Sequence, residues 1–304
     1  MTQYFSQFII RSGKYQRICD EEQEAGGPPP QRSKRGRRFT RLSRTGAWLF
    51  LADLVIFGLL LSFIWPLISL LRYNKQLFPI SVNVTSDGSL DAFRITERPQ
   101  IPRILHQTVK NDTIPSIWVD AQNSCRKVYS EFDYMLWTDE RAREFLSTEY
   151  PWFLETWDNY PFPIQRADAI RYFVLYHYGG MYLDMDTVCH EPFPLHQIES
   201  DTLAHNFLFE ATLPTGVTND IMVSSARHPA FSSAIRILPV SYHITRFWAR
   251  LVPYAAIMGS TGPLFISLAV AKYLYEEPLL PSPTVQVIHP SCLKPYISNL
   301  QTAT

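Results

Sequence analysis

Residues 166–186 have the sequence RADAIRYFVLYHYGGMYLDMD, which predicts a helix, a tight turn and a short strand in succession. Apolar positions recur at helical spacing and predict an amphipathic helix with one apolar face: 167, 170, 173, 174 and 178. Gly179 and Gly180 follow, and glycine can adopt the left-handed geometry that closes a helix. The apolar run 181–183 then suits a buried strand, so this stretch alone predicts a helix leading into a sheet.

Two carboxylates, Asp184 and Asp186, end the predicted strand. Residues two apart in a strand point to the same side, and two close carboxylates repel each other unless a cation lies between them. Such oxygen ligands suit Mg²⁺ or Mn²⁺, which keep coordination positions for phosphate oxygens. An Asp-x-Asp tripeptide is common, and a solvated pair at a strand-to-loop junction is the alternative. The preceding helix, glycine pair and apolar strand favour the metal site.

The composition allows one sizeable core and excludes one class of partner. The chain has 304 residues, 46% of them hydrophobic, and its formal net charge is zero. No basic face with interleaved aromatic residues is present, so no nucleic-acid partner is expected. Residues 1–45 are predicted to be a disordered basic tail, because they combine the proline run 28–30 with clustered arginine and lysine over 32–44. A nuclear-localisation-like patch is the alternative for the basic run.

Residues 46–71 predict one N-terminal transmembrane helix. The segment is apolar apart from Asp53 and is long enough to cross ~30 Å of hydrocarbon. Basic residues precede it, which places that side in the cytosol and the catalytic mass in the lumen. The prediction is therefore a single-pass type II membrane protein; a buried core helix is the alternative. The apolar stretch 251–271 is not predicted to span, because Pro253 and the Gly262-Pro263 pair interrupt it.

Residues 72–98 are predicted to form a stem before a lumenal domain at 99–304. Asn83 and Asn111 each open an acceptor triplet for N-glycans, which fits a lumenal location. The lumenal cysteines would be Cys125, Cys189 and Cys292. Three cysteines allow at most one disulfide within the chain, and the sequence does not select the pair.

The first part of this domain alternates strands and helices, which predicts an α/β fold with a largely parallel sheet. The first predicted strand ends in His106, Gln107 and Thr108. Ligands bind at the carboxyl ends of strands in open α/β sheets, which makes these three side chains candidates for substrate contact. The alternative for His106 is a hydrogen-bonded core histidine, and the pattern taken alone favours it.

Several blocks occur in the order found in glycosyltransferase family 32: IPRILHQT at 101–108, YMLWTD at 134–139, RADAIR at 166–171, DMD at 184–186, PTGVTNDIM at 214–222 and STGP at 260–263. Within that family the chain resembles fungal mannosyltransferases that act on inositol phosphorylceramide. The resemblance implies a GT-A (Rossmann-like nucleotide-sugar) glycosyltransferase domain in the Golgi membrane. It also implies retaining transfer of mannose from GDP-mannose to inositol phosphorylceramide, and a small regulatory membrane subunit as partner.

The resemblance also assigns site residues. It places His106, Gln107 and Thr108 in the donor pocket, and Asp184 and Asp186 at Mn²⁺ or Mg²⁺. Asp168 and Arg171, three apart on one helical face, would hold the donor sugar and a phosphate, as a carboxylate and a guanidinium suit hydroxyls and phosphate oxygens; a structural ion pair is the alternative. Asn219 and Asp220 would face the acceptor, or else form an ordinary turn.

One departure from the family concerns the end of the chain. Relatives continue past the position of residues 287–289 into a segment with a Ser-Trp-His element, whose histidine completes the metal and diphosphate site. Here the chain ends in PSCLKPYISNLQTAT, and His289 is not assigned that role. The expectation is a domain truncated at its C-terminus. Two alternative functions follow, a mannosyltransferase acting on protein-linked glycans and an inactive membrane subunit that regulates an active partner.

Overall fold

The computed structural model describes residues 44–82, 101–199, 205–212, 215–276 and 285–300. Their helices are α1 Arg44–Leu77, α2 Ser116–Val128, α3 Asp139–Glu149, α4 Leu154–Asp158, α5 Pro163–Tyr178, α6 Pro229–Thr245, α7 Pro253–Ser260, α8 Pro263–Glu276 and α9 Pro290–Leu293. Their strands are β1 Ile80–Val82, β2 Ile104–Thr108, β3 Asp133–Trp137, β4 Gly180–Leu183, β5 Thr187–Cys189, β6 Phe207–Ala211, β7 Val217–Ser224, β8 Val285–Ile288 and β9 Ile297–Asn299.

Seven of the described strands form one mixed sheet in the order β1-β8-β6-β7-β4-β2-β3. Every neighbouring pair is parallel except those that include β7, which runs antiparallel to both β4 and β6. The carboxyl ends of the six parallel strands therefore meet at one edge, where β7 begins. The predicted α/β fold with a largely parallel sheet is confirmed. β5 and β9 form a separate antiparallel pair.

Helices cover both faces of the sheet, and the strand residues alternate between two cores. Tyr182 and Met222 pack with α3, α5, α6 and α8 on one face. Met181 and Leu183 pack on the other face with residues of α2 and with the β5–β9 pair. Side chains of a strand alternate in this way because successive residues point to opposite faces.

The central helix α5 is buried on nearly all sides. Nine of its residues are buried, from Gln165 and Asp168 through Leu175, so the predicted amphipathic helix with one apolar face is wrong. The helix ends at Gly179, and both Gly179 (φ 69°) and Gly180 (φ 97°) have left-handed backbones. A Cβ at Gly180 would lie 2.6 Å from the backbone oxygen of Ile104. Glycine is required here because β4 passes this close to β2.

The segment that follows the apolar helix differs from the predicted stem. α1 continues to Leu77, and β1 lies at the sheet edge beside β8. Leu70 and Phe78 are buried in the core. Residues 72–82 therefore belong to the fold rather than to a spacer. A boundary between two units falls inside α1, after Asp53, and the described residues of the first unit are 44–53.

Among the described residues, the stretch Pro253–Tyr275 is apolar and long enough to cross a membrane, judged by length and composition. Half of its most apolar window is buried inside the protein, and α7 and α8 divide it at Thr261-Gly262. Phe265 and Ile266 lie in the core, as a core helix requires. A shorter apolar helix, Thr45–Gly58, is the first part of α1.

The structure pairs Cys125 with Cys189, whose Cα atoms are 4.7 Å apart, and leaves Cys292 as a free thiol. This bond joins α2 to β5. Asn111 is exposed, as a glycan acceptor must be. The predicted tail up to residue 43 and the other acceptor, Asn83, lie outside the described residues.

Candidate active site

Charged and polar side chains collect at the edge where the parallel strands end. Thr108 ends β2, Asp184 follows β4, Glu210 is near the end of β6, and Asp220 lies near the start of β7. The backbone N–H of Asp184 donates to the carbonyl of Asp220 at 2.9 Å, which joins the two chain segments. The sheet topology thus brings together residues that are up to 112 positions apart in the sequence, from Thr108 to Asp220.

A buried arginine lies between two carboxylates at the centre of this edge. One guanidinium nitrogen of Arg171 (Nη2) is 3.1 Å from Oδ1 of Asp168 and 3.1 Å from Oδ1 of Asp184. The other terminal nitrogen donates to the carbonyl of Asn219 at 2.6 Å. The guanidinium also lies over the ring of Tyr182, with Cζ 4.5 Å from the ring centroid. The two carboxylates hold the charge of Arg171 in place and raise its pKa, against the lowering effect of burial.

Asp168 is held by neighbours on two other elements. Its Oδ1 accepts from the amide of Asn219 at 3.1 Å, and its Oδ2 accepts from the hydroxyl of Thr261 at 3.2 Å. The Asn219 amide also donates to the Tyr172 hydroxyl, which donates to the carbonyl of Thr261 at 2.6 Å. Burial raises the pKa of Asp168, and the Arg171 charge opposes that shift. The network therefore locks α5, β7 and the end of α7 together.

Asp184 is the member of the cluster that reaches solvent. Its side chain is 30% exposed, against 3% for Arg171 and 7% for Asp168. The Tyr182 hydroxyl donates to its Oδ1 at 2.8 Å, so the hydroxyl of Thr108, 2.9 Å from that of Tyr182, must be the donor of its pair. Burial is the main cause that raises the pKa of Asp184 to about 7, and Arg171 partly offsets it.

Asp168 and Arg171 lie close together as their spacing predicts, but the structure does not leave them exposed to a ligand. The Nε and Nη1 groups of Arg171 donate to the carbonyls of Ala167 and Asn219, and its Nη2 lies 3.1 Å from each of the two carboxylates. The structural ion pair, the alternative, describes these contacts, and one of its effects is to hold the partly exposed carboxylate of Asp184. The predicted grip on a donor sugar and phosphate stays a prediction.

The first residue predicted to line the donor pocket, His106, lies in the core. His106 is fully buried: Trp137 donates to its Nδ1 at 3.1 Å, so its Nε2 carries the proton and donates to the Gly179 carbonyl at 2.9 Å. Burial lowers the pKa of His106 to about 4, so the ring is neutral. The structure therefore contains a hydrogen-bonded core histidine, which was the alternative, and the substrate contact of His106 stays a prediction. Both nitrogens are occupied by the protein.

Gln107 contacts Asp184, and Thr108 contacts a residue that holds Asp184 in place. Gln107 is fully buried; its amide lies 3.4 Å from the backbone oxygen of Asp184 and its oxygen accepts from Tyr134. Thr108 is 9% exposed and acts through Tyr182 as described above. Both side chains are buried, and their direct contacts with a donor stay a prediction.

Asn219 and Asp220 lie on strand β7, so the alternative of an ordinary turn is wrong. Asn219 is buried and donates to Asp168, and its place on the acceptor side stays a prediction. Asp220 is half-buried and accepts from the Thr218 hydroxyl at 2.7 Å. Across from it, burial and then the Asp220 carboxylate raise the pKa of Glu210 to about 7.

The two carboxylates of the DMD motif flank a turn. β4 ends at Leu183, and the N–H of Thr187 donates to the carbonyl of Asp184 at 3.1 Å. The alternation of a continuing strand therefore does not apply to Asp184 and Asp186. Among the described residues, no group of three or more His, Cys, Asp or Glu side chains is placed to hold a metal ion. Mg²⁺ at nucleotide sites needs only one or two carboxylates with substrate phosphates, and this pair supplies that number.

Sequence reasoning missed Tyr182, Thr261 and Glu210. Thr261 lies in the STGP block, and its hydroxyl beside a helix break could have indicated a residue of the site. Glu210 is the single charge in the apolar strand FLFEA. Tyr182 gave no separate signal, because a tyrosine in a buried strand is ordinary core.

Comparisons with known proteins agree with this chemistry. Residues 115–208 match the family described as glycosyltransferase sugar-binding region containing DXD motif. The chain is 40% identical over 247 residues to a mannosyl phosphorylinositol ceramide synthase of Saccharomyces cerevisiae, an alignment that covers 79% of this chain and 60% of that protein. It is 35% identical over 248 residues to inositol phosphoceramide mannosyltransferase 1 of Schizosaccharomyces pombe, covering 79% of this chain and 73% of that one.

The chain belongs to this family of DXD-containing glycosyltransferases. The predicted recognition and the predicted enzyme class are confirmed at that level. The chain spans 60% and 63% of the length of the two Saccharomyces cerevisiae synthases that it matches. Among solved structures, the PaToxG glycosyltransferase is similar with a TM-score of 0.42 at 14% identity, over 59% of this chain and 70% of that one.

Proposed function

We propose that the chain is a GT-A glycosyltransferase that transfers mannose from GDP-mannose to the inositol of inositol phosphorylceramide with retention of configuration. The names of the relatives support the acceptor and the sugar. The observation that carries the proposal is the charge cluster at the carboxyl edge of the sheet, in which Arg171 and Tyr182 hold the partly exposed carboxylate of Asp184. This is the edge at which open α/β sheets bind ligands.

The roles of the residues follow from their exposure. Asp184 and Asp186 are the groups that would hold Mn²⁺ or Mg²⁺, with Asp186 the main ligand because Arg171 and Tyr182 already occupy Oδ1 of Asp184. A bound divalent cation neutralises charge on a diphosphate leaving group. Asp168 and Arg171 position Asp184, so that the carboxylate needs no reorganisation during the reaction. Asp220 and Glu210, half-buried beside this site, are the candidates for the acceptor side.

The protein would be held in the Golgi membrane by the first helix as a single-pass type II protein. Large apolar side chains of α1 are exposed along its length, among them Trp48 (71%), Phe57 (59%) and Trp65 (62%). Exposed apolar side chains in such numbers suit a lipid environment. The basic residues before the helix favour a cytosolic N-terminus.

The test uses the full chain in membranes with GDP-mannose, Mn²⁺ and inositol phosphorylceramide. Two products are measured, mannose released by hydrolysis and mannosylated lipid, and NMR of the product gives its anomeric configuration. Transfer that is lost with chelator and in Asp186→Ala supports the proposal. The matched control is Asp133→Ala, because Asp133 is an exposed carboxylate at the opposite edge of the sheet.

Two results would count against the proposal. Full turnover by the Asp186→Ala variant would show that this motif does not hold the metal. Donor turnover without any lipid product, but with mannosylated protein glycans, would replace the lipid by a glycan acceptor.

A further inference from the structure

The helical layer formed by α6, α7 and α8 has an unusual charge pattern. From residue 221 to residue 275 the sequence contains no aspartate or glutamate. Five cationic side chains lie in the same stretch: Arg227, Arg236, Arg246, Arg250 and Lys272. Arg227, Arg236 and Lys272 line a cavity beside the start of α6. Arg246 and Arg250 lie between α6 and α7, and this pair, with no acidic neighbour in the stretch, is complementary to an anionic surface.

Exposed apolar side chains are concentrated between α6 and α7 and in the first turn of α7, a segment that we call the apolar loop (residues 246–254). Phe247 is 78% exposed, Leu251 82% and Tyr254 74%. The guanidinium of Arg246 lies over the ring of Phe247, 5.0 Å from its centroid, so charge and apolar surface occur at one place. Large apolar side chains that are this exposed and this close together in the sequence favour an interaction site.

The apolar loop lies at the same edge of the sheet as the candidate active site. α6 begins after β7 ends and runs for 17 residues, about 25 Å, back toward the edge that holds Asp184. α7 follows the loop, and the residue after α7, Thr261, donates to Asp168. One short helix therefore separates the exposed loop from the buried charge cluster.

The end of α1 meets the sheet at this edge as well. Oδ1 of Asn74 accepts from the backbone N–H of Gly216, immediately before β7, at 2.7 Å. Asn74 is three residues beyond the proposed membrane span at 46–71, which corresponds to about 5 Å along a helix. If that span crosses the bilayer, this edge of the sheet must lie at the membrane surface.

We propose that the apolar loop inserts into the surface of an anionic bilayer and holds the carboxyl edge of the sheet against it. Phe247, Leu251 and Tyr254 would enter the boundary between head groups and acyl chains, while Arg246 and Arg250 contact lipid phosphates. The site would then face head groups directly, so a lipid acceptor reaches it without leaving the bilayer. This step rests on the proposed function, but the contact with the bilayer is testable without it.

The first experiment measures the contact directly in the full chain, reconstituted in vesicles. Leu251→Cys is labelled with an environment-sensitive fluorophore in a Cys19→Ser, Cys292→Ser background. Tyr275→Cys is the matched control, because Tyr275 is 81% exposed and lies near the far end of α8. Vesicles of phosphatidylcholine alone are compared with vesicles that also contain phosphatidylinositol.

The expected result is a blue-shifted emission at position 251 that lipid-borne quenchers reduce, stronger with the anionic lipid, and a water-like emission at position 275. A water-like signal at both positions would overturn the proposal. A second result would also overturn the proposal: a blue-shifted emission at position 251 in detergent that is seen only when another protein copurifies. The loop would then contact that protein and not the bilayer.

The second experiment separates this proposal from the proposed function. Phe247→Ser with Leu251→Ser should lower kcat/KM for the bilayer acceptor by about tenfold, the change that ~1.4 kcal/mol of lost contact produces. Hydrolysis of GDP-mannose by water should stay unchanged, and Tyr275→Ser should change neither rate. An equal loss of both reactions, or no loss, contradicts the loop's role. If the wild-type chain turns over no donor, the proposed function fails, and the fluorophore still decides the membrane contact.

Discussion

Replacing Arg171 by methionine tests whether the charge cluster is as desolvated as the structure has it. Methionine keeps an unbranched, flexible side chain, although a shorter one, and removes the cation that lies 3.1 Å from both Asp168 and Asp184. The two carboxylates are then left near each other in a buried setting. Removing one partner of a buried ion pair costs about 3–5 kcal/mol, a large part of the 5–15 kcal/mol that typically separates folded from unfolded protein.

The loss should depend on pH. Burial raises the folded-state pKa of both carboxyl groups above the ordinary 3.8, and Arg171 opposes that shift. Without the cation, both pKa values rise further. An acid with a raised folded-state pKa loses stability as the pH rises from its unfolded value through its folded value. The destabilisation of Arg171→Met should therefore be larger at pH 8 than at pH 5.

The assay is unfolding of the full chain in mild detergent, followed by tryptophan fluorescence, at both pH values. The expected loss corresponds to about 10 °C in the unfolding midpoint at pH 8. The matched control is Arg143→Met, which breaks the exposed pair with Asp158 and should leave the midpoint unchanged, since exposed pairs contribute little. A second variant, Arg171→Met with Asp168→Asn, should recover part of the loss. Equal midpoints for Arg171→Met and Arg143→Met would refute the reasoning.

Three further changes test other contacts. Tyr182→Phe removes the hydroxyl that donates to Asp184 and should lower the free energy of unfolding by about 2 kcal/mol. Denaturant titration measures this loss, and donor turnover is assayed on the same variant. Glu210→Gln removes a carboxyl whose pKa burial raises to about 7. Because the wild type loses stability as this group ionises, the unfolding free energy of the variant relative to wild type should rise by about 2 kcal/mol from pH 5 to pH 8, after allowance for partial exposure. The unfolding free energies are measured in the presence of chelator. Gly180→Ala should lower the free energy of unfolding by at least about 3 kcal/mol, because the backbone is left-handed and the added Cβ would lie 2.6 Å from a backbone oxygen. The measurement is the yield of protease-resistant protein, which should fall. Gly58→Ala, whose added Cβ meets nothing within 4 Å, should retain the wild-type yield.

The sequence predicted the order of elements around the site because that order has local signals. The glycine pair after α5 and the apolar strand after it were both found, and the N-cap of α3 is Thr138, whose side chain accepts from the N–H of Arg141. The sheet order was not predictable. Nothing local to β7 indicates that it enters the sheet antiparallel, between β6 and β4, and this pairing makes a strand of the stretch predicted to be a turn.

The roles of individual site residues were predicted less well for a related reason. A short motif identifies which side chains lie near the chemistry but does not say which of them reach solvent. Burial depends on contacts far apart in the chain, such as the bond from Thr261 to Asp168, 93 positions away. Asp168 and Arg171 were thus placed correctly beside each other, while their exposure was not foreseen.

The cluster is better explained by the site than by stability. A buried ion pair is an inefficient stabiliser, because desolvation of its charges offsets their attraction, and well-packed apolar residues often do as well. Here two of three charges are almost inaccessible and the third, Asp184, is the one that reaches solvent. Burying Arg171 with Asp168 at its back helps to fix the position of Asp184 in a way that apolar packing could not, because apolar side chains make no directional contact with a carboxylate. The same edge carries the end of α1 and the apolar loop, so the fixed carboxylate lies where a membrane-bound acceptor would arrive.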